Sequence, residues 1–496
     1  MKRQRVSVAC VGMIAAAASG VVAQIPSASA APALTRVSAD PFTNSTSQHA
    51  TELEPDTFSH GSTVVGAFQV GRFFNGGASD IGVVRSGDGG ATWGTPAFLP
   101  GMTPSSGAAG SPYERVSDAS VAYDARHGVW LVSSIPILPS GVVPTVLVNR
   151  STDDAVTWSD PVSMPPPAAK SVSLDKNWTV CDNHPGSAFF GTCYTELDNF
   201  AAGDVELMST SQDGGATWSA PIATSGHDKG LGGQPVVQQD GTVVVPFRSL
   251  NGKIEAFSSR DGGASWSRGT EVSGIRFHGV AGDLRTSPLP SAEVDATGRV
   301  YVAWEDCRFR LKCSSNDIVL STSTDAVGWS KPARIPIDPV TSGADHFIPG
   351  LAVDPATSGG AAHLALTYYF YPDATCVAGC QLEAAYISSP DGGAHWGPPT
   401  VLAGPMSLDQ IAGTSQGPMV GDYISTSFSG STVTTLLAVG GPRPSAASFD
   451  EAMYAPSTPL SVATPAQATE PSSSAGVLVP VTGVGTGESH QALRND

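Results

Sequence analysis

The stretch SQDGGATWS at Ser211–Ser219 returns almost unchanged as SRDGGASWS at Ser259–Ser267. Three further copies are SGDGGATW from Ser86, STDDAVTW from Ser151 and SPDGGAHW from Ser389, and a shorter one is STDAVGW from Ser323. Their closing tryptophans follow one another at intervals of 48 to 67 residues: Trp93, Trp158, Trp218, Trp266, Trp329 and Trp396. A unit that recurs at such intervals predicts a repeat architecture.

Each copy has the composition of a tight turn between two strands. Its glycines tolerate the positive φ that such turns require. Its aspartate side chain can accept hydrogen bonds from amides within the turn, and its tryptophan can bury a large ring against the strands. Alternating apolar strands flank the copies, so each copy predicts one small antiparallel sheet that needs its neighbours for stability.

The repeated turn resembles the Asp-box, or bacterial neuraminidase repeat, of the sialidase-like β-propellers. The resemblance extends from Gly61 to about Tyr454. It implies that each box joins the third and fourth strands of a blade, on the side away from the active site. It also implies that the box aspartates serve the fold and not catalysis: Asp88, Asp153, Asp213, Asp261, Asp325 and Asp391.

An all-β, seven-bladed β-propeller with Asp-box turns is the predicted fold. The candidate inner strands begin at Gly61, Ala119, Asn177, Gln234, Pro290, Pro349 and Gly421. The last has no Asp-box after it, and LTRVSADPF at Leu34–Phe42 is expected to supply the fourth strand of its blade. Closure of this kind removes free sheet edges. A six-bladed ring, as in sialidases proper, is the alternative.

Three segments are predicted. Residues 1–30 have a basic start (Lys2, Arg3, Arg5), an apolar stretch from Val6 to about Val22 and a small-residue ASA site, which is typical of a secretory signal peptide. Residues 31–455 form the propeller. Residues 456–496 are rich in Ser, Thr, Pro and Ala and are predicted to be a disordered tail. The mature protein is therefore expected to be secreted and extracellular.

Charge and cysteine content limit the partners. A net charge of -18 argues against binding of nucleic acid or anionic membrane surfaces. We expect a monomer with a carbohydrate partner. Of seven cysteines, Cys10 lies in the predicted signal peptide. The other six form close pairs that predict disulfides in an exported protein: Cys181 with Cys193, Cys307 with Cys313, and Cys376 with Cys380.

Charged residues are predicted to gather at the mouth of the ring, opposite the Asp-boxes. Hydrolysis of a glycoside needs a carboxylic acid and a second group opposite it, and an acidic sugar also needs guanidinium groups. The candidate substrate-binding residues are Arg72, Arg248, Arg285, Arg308 and Lys176. The candidate catalytic residues are Tyr423, Glu305 and Asp118.

Part of this assignment comes from the resemblance. QPVVQQDGTVVVPFRS, from Gln234, resembles a sialidase segment in which a glutamate begins the inner strand and a triad arginine ends the next one. Arg248 then takes the arginine's place, whereas Gln234 replaces the glutamate and cannot act as a base. Tyr423 is the nearest analogue of the nucleophile, with Glu305 as its substitute partner. The first inner strand lacks the family's Arg-Ile-Pro motif, and ARIP from Ala333 is expected on an outer strand.

The leading hypothesis is a secreted glycoside hydrolase of the exo-α-sialidase type that acts on terminal acidic sugars. One alternative is a non-catalytic propeller that binds glycan or protein. Another is a propeller glycosidase that cleaves neutral polysaccharide with two carboxylates. No cofactor or transition-metal site is predicted. Calcium remains open if Asp56, Asp118, Asp175 and Asp345 converge.

Overall fold

Antiparallel strands and tight turns make up the fold, in a computed structural model that describes residues 31–446 and 448–464. The helical segments of these residues are six short 3-10 turns: Pro104–Ser106, Phe200–Ala202, Ala281–Asp283, Leu311–Cys313, Gly359–Ala361 and Leu408–Gln410. None of the helices described there has the length and apolar character of a membrane span. The predicted signal peptide, and the predicted tail from residue 465 onward, lie outside the described residues.

The strands follow one another closely. The first nine are β1 (Leu34–Arg36), β2 (Glu52–His60), β3 (Thr63–Arg72), β4 (Ala78–Ser86), β5 (Ala97–Phe98), β6 (Arg115–Asp124), β7 (Val129–Ile137), β8 (Leu147–Ser151) and β9 (Val162–Ser163). The middle strands are β10 (Leu174–Cys181), β11 (Cys193–Asn199), β12 (Val205–Ser211), β13 (Ile222–Ala223), β14 (Gly230–Leu231), β15 (Val236–Val237), β16 (Val243–Ser249), β17 (Lys253–Ser259), β18 (Thr270–Gly274), β19 (Ser291–Val294), β20 (Val300–Asp306), β21 (Asp317–Ser323) and β22 (Ala333–Arg334). The last are β23 (Asp345–Val353), β24 (Leu364–Tyr371), β25 (Gln381–Ser389), β26 (Thr400–Ser407), β27 (Ala412–Thr414), β28 (Gly417–Met419), β29 (Ser425–Ser429), β30 (Thr432–Gly440), β31 (Glu451–Pro456) and β32 (Leu460–Ser461).

Most sheets are meanders of consecutive antiparallel strands, as predicted. Three have four strands each, namely β10–β13, β19–β22 and β23–β26. In a fourth sheet β14 and β15 both pair with β16, which is followed by β17 and β18. The eight-stranded sheet β2–β9 consists of two such meanders, since β4 and β6 share only the register pair Ala78–Val116. The chain is thus all-β and built from repeated small sheets.

Side-chain hydrogen bonds connect the first strands of successive sheets. The amide of Val121 in β6 donates to Asp56 in β2 (2.7 Å), and that of Thr179 in β10 donates to the Ser120 hydroxyl (3.1 Å). Leu351 N in β23 donates to the hydroxyl of Ser291 in β19 (3.0 Å). The hydroxyls of two β29 residues donate to backbone carbonyls of β23 and β2: Thr426 to Gly350 (2.9 Å) and Ser425 to Thr57 (3.1 Å). Polar side chains of these strands therefore link neighbouring sheets through backbone groups.

The Asp-box turns have the predicted geometry. In the copy after β12, Asp213 Oδ1 accepts hydrogen bonds from Thr217 N and Ser211 Oγ, both 2.9 Å, while Oδ2 accepts one from Thr217 Oγ1 (2.6 Å). Gly214 and Gly215 adopt φ of 67° and 76°. The Trp218 ring is buried, and its Nε1 donates to the carbonyl of Gly215 (3.2 Å). The aspartate is thus committed to its own turn, so it is a fold residue.

The predicted first strand is in the wrong place. The segment from Gly61 forms β3, the second strand of its sheet, whereas the first strand is β2, which was interpreted as a loop. The reason is a β-bulge: the register shifts between Leu53 and Asp56, and Glu54 adopts a φ of 58°. A bulge allows charged residues and a proline inside a strand, which hides the strand from a search for alternation.

The first and last parts of the described residues meet in the last sheet. Its order is β29–β30–β31–β1, so the N-terminal segment does pair here, though β1 is only three residues long. The strand predicted from Gly421 begins later, at Ser425. The prediction of disorder from residue 456 is corrected for residues 456–464, because β32 pairs with β30 and Ala463 N donates to Ser388 Oγ (2.9 Å).

All three predicted disulfides are confirmed. Cys181–Cys193 joins the end of β10 to the start of β11. Cys307–Cys313 closes the loop after β20, and Cys376–Cys380 closes the loop before β25. Each bond therefore fixes a short local loop.

Candidate functional site

Three bulged strands place charged residues at one location. Glu54 in β2, Asp118 in β6 and Lys176 in β10 all adopt left-handed φ, at 58°, 51° and 49°. The register shifts at each of them, where two residues of one strand oppose one of the next. Left-handed backbone is costly for residues with a Cβ, so these positions are held by their surroundings. The side chains of three neighbouring sheets converge as a result.

We name this convergence the charge cluster; its members are Glu54, Arg72, Asp118, Lys176, Arg285 and Asp422. None is more than 6% exposed. Lys176 Nζ lies 3.9 Å from Glu54 Oε1 and 3.6 Å from Asp118 Oδ2, and it donates to Asp422 Oδ2. Three of the predicted substrate-binding residues, Arg72, Lys176 and Arg285, therefore come together with one predicted catalytic residue, Asp118.

Asp422 is held by two cations. Arg285 donates through Nε to Asp422 Oδ1 (2.7 Å) and through Nη2 to Oδ2, which is a two-pronged contact. Burial opposes the charged form, but Arg285 and Lys176 outweigh it and hold the pKa of Asp422 well below its usual range. The Asp422 carboxylate is therefore ionised at neutral pH.

Burial shifts the pKa values of two other members of the charge cluster. Burial, reinforced by Asp118, raises the pKa of Glu54 to about 7. Burial and the neighbouring Arg285 lower the pKa of Arg72 to about 10. Arg72 Nη1 donates to Gln69 Oε1 (2.9 Å), and Gln69 Nε2 donates in turn to Glu54. The cluster is a closed network in which cations and carboxylates neutralise one another.

Tyr423 borders the cluster. Its hydroxyl donates to the backbone carbonyl of Ala119 (3.2 Å), and its ring packs edge-on against Trp178 with 5.1 Å between centroids. Burial, followed by the charges of Glu54 and Asp118, raises the pKa of its phenol well above the usual range. The environment therefore works against formation of a phenolate nucleophile.

Glu305 and two of the arginines form a separate group. Glu305 Oε2 accepts a hydrogen bond from Ile348 N (2.8 Å), and burial raises its pKa to about 8, with Arg248 opposing. Arg308 donates hydrogen bonds to the Asp306 carboxylate through Nε (2.9 Å) and Nη2 (2.7 Å). Glu305 is thus anchored in β20 to the neighbouring β23, whereas the Tyr423 hydroxyl is bonded to Ala119 in β6.

A polar cavity of about 340 Å³ opens beside the charge cluster. Its lining includes Asn75, Arg115, Ser173, Asp175, Phe200 and Ser415. Arg115 is tied to the wall, since its Nη1 donates to Asn75 Oδ1 (2.8 Å) and to the Gly76 carbonyl (2.7 Å). Asp175 adjoins Lys176 in sequence and is half-buried, so it connects the cavity with the cluster.

Asp175 begins a ladder of carboxyl groups. Asp198 in β11 stands opposite Asp175, and Glu206 in β12 stands opposite Asp198. Burial, which the charge of Lys176 offsets and that of Asp118 reinforces, raises the pKa of Asp175 to about 7. Burial raises the pKa of Glu206 to about 8. Asp175 therefore retains a proton in a large share of molecules near neutral pH.

Two of the acids considered for calcium accept hydrogen bonds from backbone amides in different parts of the fold. Asp56 accepts from Val121 N (2.7 Å) in the first sheet, whereas Asp345 accepts from Asn316 N (2.6 Å). Another group with metal-ligand spacing, Asp317, Asp338 and His346, already receives two guanidinium groups. Arg310 Nη2 and Arg334 Nε lie 2.6 and 2.8 Å from Asp317 Oδ1. Calcium binding stays a prediction.

The candidate residues from the sequence do not include Asp422, Glu54 or the ladder residue Glu206. Asp422 was visible beside Tyr423 in GDYIS, but nothing local shows that it faces Arg285, 137 residues away. Gln234 links two parts of the fold, because its Oε1 accepts a hydrogen bond from Ala292 N (3.0 Å).

Comparison with known proteins supports the sequence motifs. Residues 66–291 match the model of the BNR repeat-like domain. This segment is therefore similar to BNR-repeat proteins, and the predicted resemblance to BNR repeats is confirmed over these residues. A search of curated proteins finds no match.

Solved structures with BNR-type similarity are distant in sequence. A Hadza microbial sialidase, Hz136, is 17% identical (84% of this chain and 67% of that chain, TM-score 0.41). The NanB sialidase from Streptococcus pneumoniae is 12% identical (86% and 71%, TM-score 0.41). A polysaccharide lyase of family PL25, an ulvan lyase, is 10% identical (85% and 95%, TM-score 0.48). These likenesses identify no residue role in this chain.

Proposed function

We propose that this protein is a secreted glycoside hydrolase that binds the end of a glycan in the cavity beside the charge cluster. The observation that carries the proposal is Asp175. It lines the cavity, is partly open to solvent and has a pKa raised to about 7. A carboxylic acid that keeps its proton near neutral pH can protonate the leaving oxygen of a glycoside.

The charge cluster supplies the second carboxylate. Asp118 is the nearest candidate, because its charge contributes to the raised pKa of Asp175. Ser117 Oγ donates to Asp118 Oδ1 (2.7 Å) and Lys176 lies 3.6 Å from Oδ2, so its position is fixed. Asp118 is buried outside the cavity lining, so its proposed role is to add negative charge near Asp175 as the sugar becomes positive in the transition state.

The exo-α-sialidase form of the proposal depends on free guanidinium groups. Arg285 is engaged by Asp422 and Arg308 by Asp306, and each contact is two-pronged. The guanidinium groups of Arg285 and Arg308, which were expected to bind a sugar carboxylate, are therefore already neutralised within the chain. This favours a glycosidase for neutral glycans over a sialidase.

The test is hydrolysis of a panel of fluorogenic glycosides, neutral sugars and sialosides side by side. We expect release from at least one neutral glycoside and loss of that activity in Asp175→Asn. The matched control is Asp160→Asn, at an exposed position outside the cavity lining. Full activity in Asp175→Asn, or activity on sialosides alone, would contradict the proposal.

A non-catalytic glycan-binding propeller is the second candidate. It is favoured by the burial of Tyr423, Glu305 and Asp118, each of which is hydrogen-bonded within the chain. A glycan array separates the two candidates. Retained glycans with no hydrolysis of any glycoside would support this second function.

We also propose seven blades for this fold and export to an oxidising compartment. Support for the count comes from the succession of first strands, in which β29 follows β23 and contacts β2 again. Support for export comes from the three disulfides, which persist outside the reducing cytosol. N-terminal sequencing of protein from the culture medium tests cleavage after residue 30, and sedimentation tests the monomer.

A further inference from the structure

Asp422 occupies a site with the chemistry of carboxylate recognition. A guanidinium that donates in two-pronged fashion, together with an ammonium, is how proteins bind carboxylate ligands. Arg285 and Lys176 provide this combination at 6% and 5% exposure. Asp422, at 3% exposure, takes both contacts at once. The carboxylate that fills the site belongs to the chain itself.

The segment that carries Asp422 is fixed in place. Asp422 N donates to Glu54 Oε1 (3.1 Å), which ties the segment to β2. The preceding Gly421 adopts a φ of 143°, and a Cβ there would lie 2.9 Å from the Glu54 Cα. A side chain at position 421 would therefore separate the segment from β2. This close approach builds Asp422 into the site.

We propose that Arg285 and Lys176 form a carboxylate-binding site that Asp422 occupies permanently, so that these two cations cannot bind the carboxylate of a ligand. A second carboxylate would have to share the same donors with Asp422 at short range. Like charges at such a distance repel strongly where water is excluded. The statement about the ligand rests on the proposed function, whereas the occupied site does not.

Replacement of Asp422 tests the site directly. In Asp422→Ala the carboxylate is removed and space is left, so acetate or formate should bind there. We expect a lower Tm than wild type in chloride, and saturable recovery of most of the loss when acetate replaces chloride at constant ionic strength and pH 7. Wild type should show no such anion-specific change. Absence of recovery in a folded Asp422→Ala protein would overturn the proposal.

Two matched variants define the specificity of the recovery. Asp422→Asn retains the side-chain volume without the charge, so acetate should have no room to bind and no effect. Asp306→Ala removes the two-pronged partner of Arg308, whose side chain is 22% exposed, and should show no saturable recovery. Recovery by acetate in either variant equal to that in Asp422→Ala would assign the effect to general salt action and overturn the proposal.

A measurement on wild type keeps the test decisive if Asp422→Ala does not fold. Isothermal titration calorimetry of the wild-type protein with N-acetylneuraminic acid should show no saturable binding. Binding that disappears in Arg285→Ala would show that the site accepts an external carboxylate and would overturn the proposal. Neither readout uses glycoside hydrolysis, so failure of the hydrolase proposal remains distinguishable from failure of this one.

Discussion

The proposed reaction depends on the proton that the carboxyl group of Asp175 carries. The group is in register with Asp198, and the charges of Lys176 and Asp118 shift its pKa in opposite directions. A general acid must be protonated to work, which links activity to the state of this residue. At this scale the pH dependence of hydrolysis is the informative observation.

We expect kcat/KM to fall as pH rises through about 7, because Asp175, with its pKa raised to about 7, then loses the proton that it donates. Asp175→Asn should lose about 10²- to 10⁴-fold in rate and should lack this alkaline limb. Initial rates from pH 5 to 9 provide the measurement. A wild-type profile that rises steadily up to pH 9 would assign the acid role elsewhere.

Each Asp-box turn is the smallest element that repeats, and its stability contribution can be separated by residue. The aspartate satisfies polar groups at the turn surface, whereas the tryptophan fills the space between strands. In the turn after β12, Asp213 is exposed and Trp218 is buried. The two side chains should therefore differ in how much the sheet depends on them.

Trp218→Ala should lower the free energy of unfolding by about 3–5 kcal/mol, because a large buried ring is removed and a cavity is left. Asp213→Ala should cost about 1 kcal/mol, since its hydrogen bonds compete with water. Urea unfolding of both, beside the exposed Asp160→Ala control, gives the measurement. The order of the two costs is the prediction; a larger loss in Asp213→Ala would refute it.

The elements that the sequence predicted are those whose signal is local. Turn chemistry located every Asp-box, and close spacing located every disulfide. The first strand β2 was missed because its bulge at Glu54 breaks the alternation that marks a strand. The charge cluster was only partly predicted for a different reason. Its residues lie as far apart as positions 54 and 422, and no local pattern says that Asp422 meets Arg285.

Across the whole molecule, buried carboxyl groups with raised pKa values set the dependence of stability on pH. Burial raises the pKa of Glu52 and Asp56 to about 7, and that of Glu206 and Glu305 to about 8. A carboxyl whose folded-state pKa is raised stabilises the fold when protonated, and this contribution is lost as pH rises through the folded value.

The free energy of unfolding should therefore decrease from pH 5 to pH 8. The Asp-box aspartates have the opposite effect on stability, but only in acid. Hydrogen bonds from Thr92 and Thr157 lower the pKa of Asp88 and Asp153 to about 2, so their contribution is lost only as pH falls towards that value. Urea titrations at pH 5, 6.5 and 8 provide the test, and Glu305→Gln should flatten the slope. A stability that climbs toward pH 8 would be inconsistent with these burial effects.

The pairing of β1 with β31 has a consequence for biogenesis. Arg36 stands opposite Tyr454, so during synthesis β1 must wait for a much later segment of the chain before it can pair. Until the ribosome has passed Pro456, the final sheet lacks β31, and both β1 and β30 are accessible to proteases or to other nascent chains. A premature stop codon shortly before Glu451 would therefore leave β1 without its partner strand.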